Sequence, residues 1–232
     1  HAAAGRDPWQ PHYREAHRRV LYLDVENAES SIHHQFSIAN KSTDFDIIGE
    51  ADGYLHVWHE EGGMDLRQRR HRARFEAVLQ KVRPEIVFAG PLYKLFKRQR
   101  GEDMEQATIE FTEIIDELRV RYGFAIMLEH HAAKGKDGHR ELVPFGSSVF
   151  LRWPEFGLTM EPIGPVEPND ENYSMKLGRF RRDRERADWP DDIERRAGAN
   201  VPWIPVFERG RGSRVSLIRH PIHGEWVPLG SF

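Results

Sequence analysis

The sequence contains no cysteine in its 232 residues, so it can form no disulfide framework and no thiolate metal site. That absence fits a reducing cytosol, and no signal peptide opens the chain, so the protein is expected in the cytoplasm. No apolar run approaches the ~20 residues that a membrane span needs, and no membrane partner is expected. A large net charge is missing too. Lys and Arg number 34 against 37 Asp and Glu, a formal net charge of −3, so no global field draws in a nucleic acid. Any such contact must come from local basic patches. The chain begins at His1 and not at Met, with a polar stretch through Arg19. It also holds no Gly-x-x-x-x-Gly-Lys-Ser/Thr run, the loop whose backbone N–H groups and lysine cradle nucleotide phosphates. Asn40-Lys41-Ser42-Thr43 offers the Lys-Ser pair without the glycines. Histidine, by contrast, is plentiful: 13 side chains would carry the chain well positive near pH 5.

The length fits one large domain, or a domain with an appendage. Short apolar runs alternate with helical patterns. Strands are expected at Val20-Leu21-Tyr22-Leu23-Asp24-Val25, at Tyr54 to Trp58, at Glu85 to Ala89 and at Phe124 to Leu128. Ser30 or Ser31 can start a short helix through Phe36. Phe75, Val78, Leu79 and Val82 mark one face of a helix that stops before Pro84, and Met104, Ala107, Phe111, Ile114, Ile115 and Leu118 mark the clearest amphipathic helix. This alternation implies βαβ units and a parallel sheet covered on both faces. Beyond Gly146 the pattern changes: segments 147–163, 173–181 and 201–207 read as strands without intervening helices, an antiparallel extension, with a loop over 165–172.

Ligands of an open parallel sheet bind at the carboxyl ends of its strands. Here the first strand delivers Asp24, Glu26 and Asn27, the third Gly90-Pro91-Leu92-Tyr93-Lys94, and the fourth Glu129-His130-His131 with Lys134 beyond. An acid, a base and a histidine pair converging on one edge make a candidate site. Each also has a plain structural reading: Glu26 as a helix cap, one of the adjacent histidines packed while the other faces out, Lys134 as a solvated lysine.

Taken together, the segment from Val20 to Phe36, Pro84 to Tyr93, Leu128 to Lys134 and Gly146-Ser147-Ser148 through Trp153 resemble one family: the RecA-like AAA-type ATPases of plasmid and phage replicative helicases, the RepA-like group. The blocks fall in the family's order over roughly residues 18–185. The resemblance implies an α/β RecA-like three-layer fold with a mostly parallel central sheet, ATP and Mg²⁺ as cofactors, single-stranded DNA as partner, and self-association into a ring, a hexamer. On it, residues 1–18 are a polar N-terminal segment, 19–165 the ATPase core, and 166–232 the strands that complete the sheet, plus a tail.

The resemblance also implies roles. Glu26 matches the carboxylate that polarises the attacking water, and His131, with His130 as alternate, the γ-phosphate sensor. Arg152, or else Arg179 or Arg181, matches a finger reaching a neighbouring subunit's nucleotide. Asp24, Asn27, Lys134 and Arg179 line the nucleotide. Lys94, Lys97, Arg98 and Arg100 fall where such helicases contact DNA. The arginines at 67, 69, 70, 72 and 74 form a second basic run, read as a solvated helix face before a phosphate contact.

Two departures stand against the pattern. Where the family's third strand ends in an Asp that holds the Mg²⁺ shell, this chain has Gly90; Asp24 is the expected substitute ligand, through a water. The phosphate loop is absent too. With the missing Met, that implies a chain whose first βα unit has been cut away, and weak ATP binding as it stands. Two further readings remain open: a non-catalytic nucleic-acid-binding or assembly module on the same fold, and a phosphodiesterase holding Mn²⁺ or Zn²⁺ between Asp24, Glu26, His130 and His131.

Overall fold

Four parallel strands and the helices that join them build the first half of the chain. The structure, a computed structural model, describes residues 1–6, 14–41, 45–134, 140–144, 147–164, 173–181, 192–195, 204–209, 213–219 and 226–228. The order is β1 (Val20–Asp24), α1 (Glu29–Lys41), α2 (Ile47–Glu50), β2 (Leu55–His59), α3 (Arg69–Val82), β3 (Ile86–Gly90), α4 (Leu92–Leu95), α5 (Met104–Tyr122) and β4 (Ala125–Leu128). The sheet order is β2-β1-β3-β4, with every neighbour parallel. Parallel neighbours require crossovers, and the helices supply them.

Strand periodicity explains the layering, because successive side chains point to opposite faces. Leu21, Leu23, Val87 and Ala89 pack with Phe75 and Leu79 of α3 and with Phe111, Ile115 and Leu118 of α5. Phe75, Leu79, Phe111 and Ile115 lose all contact with solvent; burial of each such side chain is worth roughly 1.5–3 kcal/mol. Val20, Ile86 and Phe88 face the other way, toward Ile47 and Ala51 of the α2 region. On the same face Phe36 of α1 meets Tyr22 edge-on at 5.5 Å. The polar N-terminal segment contributes there as well. Ala3 and Ala4 join this second cluster, and the buried Arg6 pairs with Glu50 while lying 3.7 Å over the Phe45 ring.

The helix termini follow their sequence signals. The Asp103 carboxylate accepts the Gln106 N–H at 2.8 Å and starts α5; Gly123, at φ 70°, ends it. The basic run is not one solvated face. Arg67 precedes α3, is largely buried, pairs with Glu102 and Glu110, and lies 5.6 Å from the Phe96 ring. Arg74 pairs with Glu60.

Further on come β5 (Ala132–Lys134), β6 (Arg140–Pro144), α6 (Val149–Arg152), β7 (Phe156–Pro162), β8 (Tyr173–Arg181), β9 (Asp192–Arg195), β10 (Ile204–Arg209), β11 (Ser213–Arg219) and β12 (Trp226–Pro228). The antiparallel part is present as a six-stranded sheet in the order β12-β11-β10-β9-β8-β7. Among the described residues its strands pair with one another rather than prolonging the parallel sheet. Segment 147–163 also departs from the expected strand. The Ser147 Oγ accepts the Val149 N–H at 3.2 Å, and the helical turn α6 that follows buries Phe150 against Phe96 and Phe111. The loop expected over 165–172 lies outside the described residues. No helix among those described is long and apolar enough to cross a membrane.

Candidate functional site

Three strand ends meet at one edge because the register is exact in sequence step: Asp24 lies opposite both His59 and Gly90, and Ala89 opposite Leu128. The pairing continues one step past the strands. Val25 N–H donates to the Gly90 carbonyl at 3.1 Å, Glu129 N–H to the Ala89 carbonyl at 3.1 Å, and Leu92 N–H to the Glu129 carbonyl at 2.8 Å. The turn after β1, the cis Gly90–Pro91 step and the Glu129-His130-His131 segment are thereby fixed relative to one another.

Asp24 is the keystone of the first turn and not an open ligand. It is 3% exposed. Its Oδ1 accepts the Glu26 and Asn27 N–H groups at 2.9 and 2.8 Å, and its Oδ2 accepts Asn27 Nδ2 at 2.9 Å and the Tyr22 hydroxyl at 3.3 Å. Burial alone pushes this carboxyl up, but the bonds from Asn27, Glu26 and Tyr22 outweigh it and hold it below its ordinary value. Both Asp24 oxygens thus accept bonds within the turn, and its expected service to a metal shell through a water is a proposal. Asn27 is likewise engaged with Asp24.

The turn presents Glu26 outward. Tyr93, the second residue of α4, donates its hydroxyl to Glu26 Oε1, which leaves Oε2 open. That bond, then burial and the charges of Glu26 and Glu129, raises the Tyr93 phenol above its ordinary value. The Tyr93 ring lies 5.6 Å from the His131 ring, and His131 Nε2 lies 3.5 Å from Glu129 Oε1. Glu26, Tyr93, His131 and Glu129 thus form one connected edge. His130 turns away: it packs edge-on against Phe150 at 5.5 Å and its Nδ1 lies 2.8 Å from the His131 carbonyl.

Tyr22, beneath the edge, is pushed up to about 12 by burial, by the Asp24 charge and hydrogen bond, and by the Glu129 charge. A folded-state value above the unfolded one favours the neutral phenol, so this stability is complete below pH ~10 and is lost as pH rises through ~12. Ultraviolet titration of tyrosinate should show a transition near pH 12 that Tyr22→Phe removes. Its persistence in that variant would contradict the assignment.

Gly90 has a steric reason. A Cβ built there would lie 2.6 Å from Glu129 Cβ and 3.3 Å from Glu129 N. Gly90→Ala should therefore cost about 1–3 kcal/mol, the usual range for overpacking, and Glu129→Gly in the same chain should restore most of it. Denaturant midpoints of the single and double variants check this; additive losses would contradict it.

Around this edge, Lys94 places Nζ 6.0 Å from the Tyr93 ring centre, and Lys97 donates to the Gly62 carbonyl at 3.5 Å. Arg98 and Arg100 are exposed. Arg152, on the same turn as Phe150, is 65% exposed, 3.3 Å from Glu105 and 3.0 Å from Ser148 Oγ. Lys134 lies in β5 opposite Arg140, and Arg179 and Arg181 lie in β8 opposite Leu158 and Phe156; their side chains are outside the description. Among the described residues no three His, Asp or Glu side chains converge on a point that could hold a metal ion. With Asp24 bound into its turn and His130 on Phe150, the phosphodiesterase reading loses two of its four ligands.

A family model described as an AAA domain matches residues 1–137. The chain belongs to that family and is an ATPase-like nucleotide-binding module. No curated protein matches it. The Mg²⁺ that usually accompanies a nucleotide in such modules needs only one or two carboxylates beside phosphate oxygens. The exposed carboxylate of Glu129 fits that demand. Sequence reasoning assigned no role to Tyr93 or Glu129. Both stood in the quoted strand-end blocks, but only the register shows that they flank Glu26 and Gly90.

Proposed function

We propose that this chain is the ATP-hydrolysing module of a RecA-like motor of the plasmid and phage replicative helicase type, acting on single-stranded DNA. The observation that carries the reading is Glu26, held at the end of β1 by Tyr93 with one carboxylate oxygen open, on the same edge as His131. Glu26 accepts the proton of the water that attacks the γ-phosphate, and Tyr93 fixes the direction in which it accepts. His131 senses the departing phosphate and passes the change through its contacts with Tyr93 and Glu129. The Glu129 carboxylate would hold Mg²⁺, which would supply neutralisation of phosphate charge. Arg152, Arg179 or Arg181 completes a neighbour's site in a hexameric ring. Lys94, Lys97, Arg98 and Arg100 follow Tyr93 directly in sequence, which couples DNA contact to the nucleotide edge.

The test is ATP turnover by the native protein with and without single-stranded DNA. Stimulation that weakens with added salt, and that falls in a Lys94→Ala/Lys97→Ala/Arg98→Ala variant while basal turnover persists, is the expected result. Binding of single strands with no turnover under any condition would instead favour the non-catalytic module, for which the absent carboxylate at Gly90 speaks.

A further inference from the structure

We infer that Glu129 supplies the metal-shell carboxylate that the end of β3 lacks, so that the acid has moved sideways by one strand. The inference rests on the ATP-hydrolysing reading above. Gly90 ends β3, and the β3–β4 register runs Ala89 beside Leu128, which makes Glu129 the lateral neighbour of Gly90 one step further on. Residues side by side in a parallel ladder project to the same face at the same height, about 4.8 Å apart. A carboxylate moved between them keeps its level along the strands and its face of the sheet.

The steric record at Gly90 shows how completely the place has been taken. The Cβ that any other residue would carry there falls 2.6 Å from Glu129 Cβ and 3.3 Å from Glu129 Oε2. The Glu129 side chain therefore fills the space in which a side chain at position 90 would begin, and its Oε2 lies 3.3 Å from that starting point. The two positions exclude one another: an acid at 90 needs a small residue at 129, and an acid at 129 needs glycine at 90. One extra methylene in Glu over Asp makes up part of the lateral offset.

The alternative acid, Asp24, is engaged by its own turn. Asp24 is buried with both oxygens accepting bonds from its own turn. The Glu129 side chain is 67% exposed, with His131 Nε2 at 3.5 Å from Oε1. It sits beside the Tyr93–His131 pair that flanks Glu26, so an ion held there would lie at the reacting edge. A hard cation such as Mg²⁺ takes one such oxygen together with phosphates and waters.

The experiment titrates Mn²⁺ into the native protein with ATP, reading free Mn²⁺ by electron paramagnetic resonance, and separately measures ATP binding in chelator. Variants are Glu129→Gln and the exchange Gly90→Asp/Glu129→Gly, each checked for a cooperative thermal transition. The expected result is a loss of about tenfold or more in ATP-dependent Mn²⁺ affinity for Glu129→Gln, with metal-free ATP binding unchanged, and recovery to within a few-fold in the exchange variant. Unaltered Mn²⁺ affinity in Glu129→Gln overturns the inference and leaves the ATPase reading intact. Equal loss of ATP binding with and without metal also overturns it, because Glu129 would then act on the nucleotide or the fold. Failure of the unaltered protein to bind ATP in either condition overturns both readings.

Discussion

Replacing Glu26 by Gln is expected to abolish ATP turnover, by about 10²–10⁴-fold, the range for loss of a general base, while leaving nucleotide affinity and stability within a factor of a few. The substitution keeps the shape of the side chain and can still accept the Tyr93 hydroxyl, so the edge should keep its geometry. Only the proton acceptor is lost. Tyr93→Phe makes the complementary case. It removes the bond that aims Glu26 without removing the base, so turnover should fall less, by roughly tenfold (about 1.4 kcal/mol). Steady-state turnover and equilibrium binding of a fluorescent ATP analogue separate these effects. If Glu26→Gln hydrolyses ATP as the unaltered protein does, the carboxylate is a cap and not a base.

The largest effect on stability is expected at Asp24. Asp24→Ala leaves the N–H groups of Glu26 and Asn27 without the acceptor they share inside the turn. An unsatisfied buried donor costs about 1–3 kcal/mol, so the loss should approach 2–4 kcal/mol, a large part of the roughly 5–15 kcal/mol that stabilises a typical domain. Asp24→Asn retains a carbonyl in place of Oδ1 and should lose much less. The pH dependence has a definite sign. The folded carboxyl lies below its ordinary value of 3.8, so its contribution is present above that pH and is lost as pH falls through the lower folded value. The advantage of the native protein over Asp24→Asn should thus shrink as the solution is acidified below pH ~4. Urea midpoints of the three proteins, repeated at decreasing pH, check both statements. A gap between native protein and Asp24→Asn that widens in acid would contradict the assignment.

The parallel half was legible in the sequence for physical reasons. Central strands read as short apolar runs, and Val20 to Asp24 and Ile86 to Gly90 carry aliphatic or aromatic side chains throughout their interiors. The stripe of α5 was equally plain, because its buried residues recur at helical spacing. The helical turn α6 was misread as strand. Four residues are too few to show a period, and its position follows from the fit of Phe150 between Phe96 and Phe111, which no local signal encodes. The buried Ala3, Ala4 and Arg6 were invisible for a similar reason: two alanines and an arginine look like surface until Glu50 and Phe45 are placed beside them.

For the candidate site, residue type pointed to the edge but not to the division of labour along it. Glu26 and the histidine pair could be picked from strand ends alone. Asp24 and Glu129 are both acids at strand ends, and sequence offered no way to tell which was bound into a turn and which was open. The difference lies in backbone direction. The chain after Asp24 folds back so that two N–H groups point at its carboxylate, whereas Glu129 itself stays paired to Ala89 and Leu92 through its main chain, and its side chain is two-thirds exposed.

In the proposed mechanism the γ-phosphate of ATP lies at the edge formed by Glu26, Tyr93 and His131. Photo-crosslinking the native protein with ATP that carries an aryl azide on its γ-phosphate, followed by peptide mass mapping, tests it directly. Label is expected on the peptides containing Glu26, Tyr93 or His131, suppressed by excess ATP. Competable label confined to other peptides, or label that excess ATP does not suppress, would contradict it.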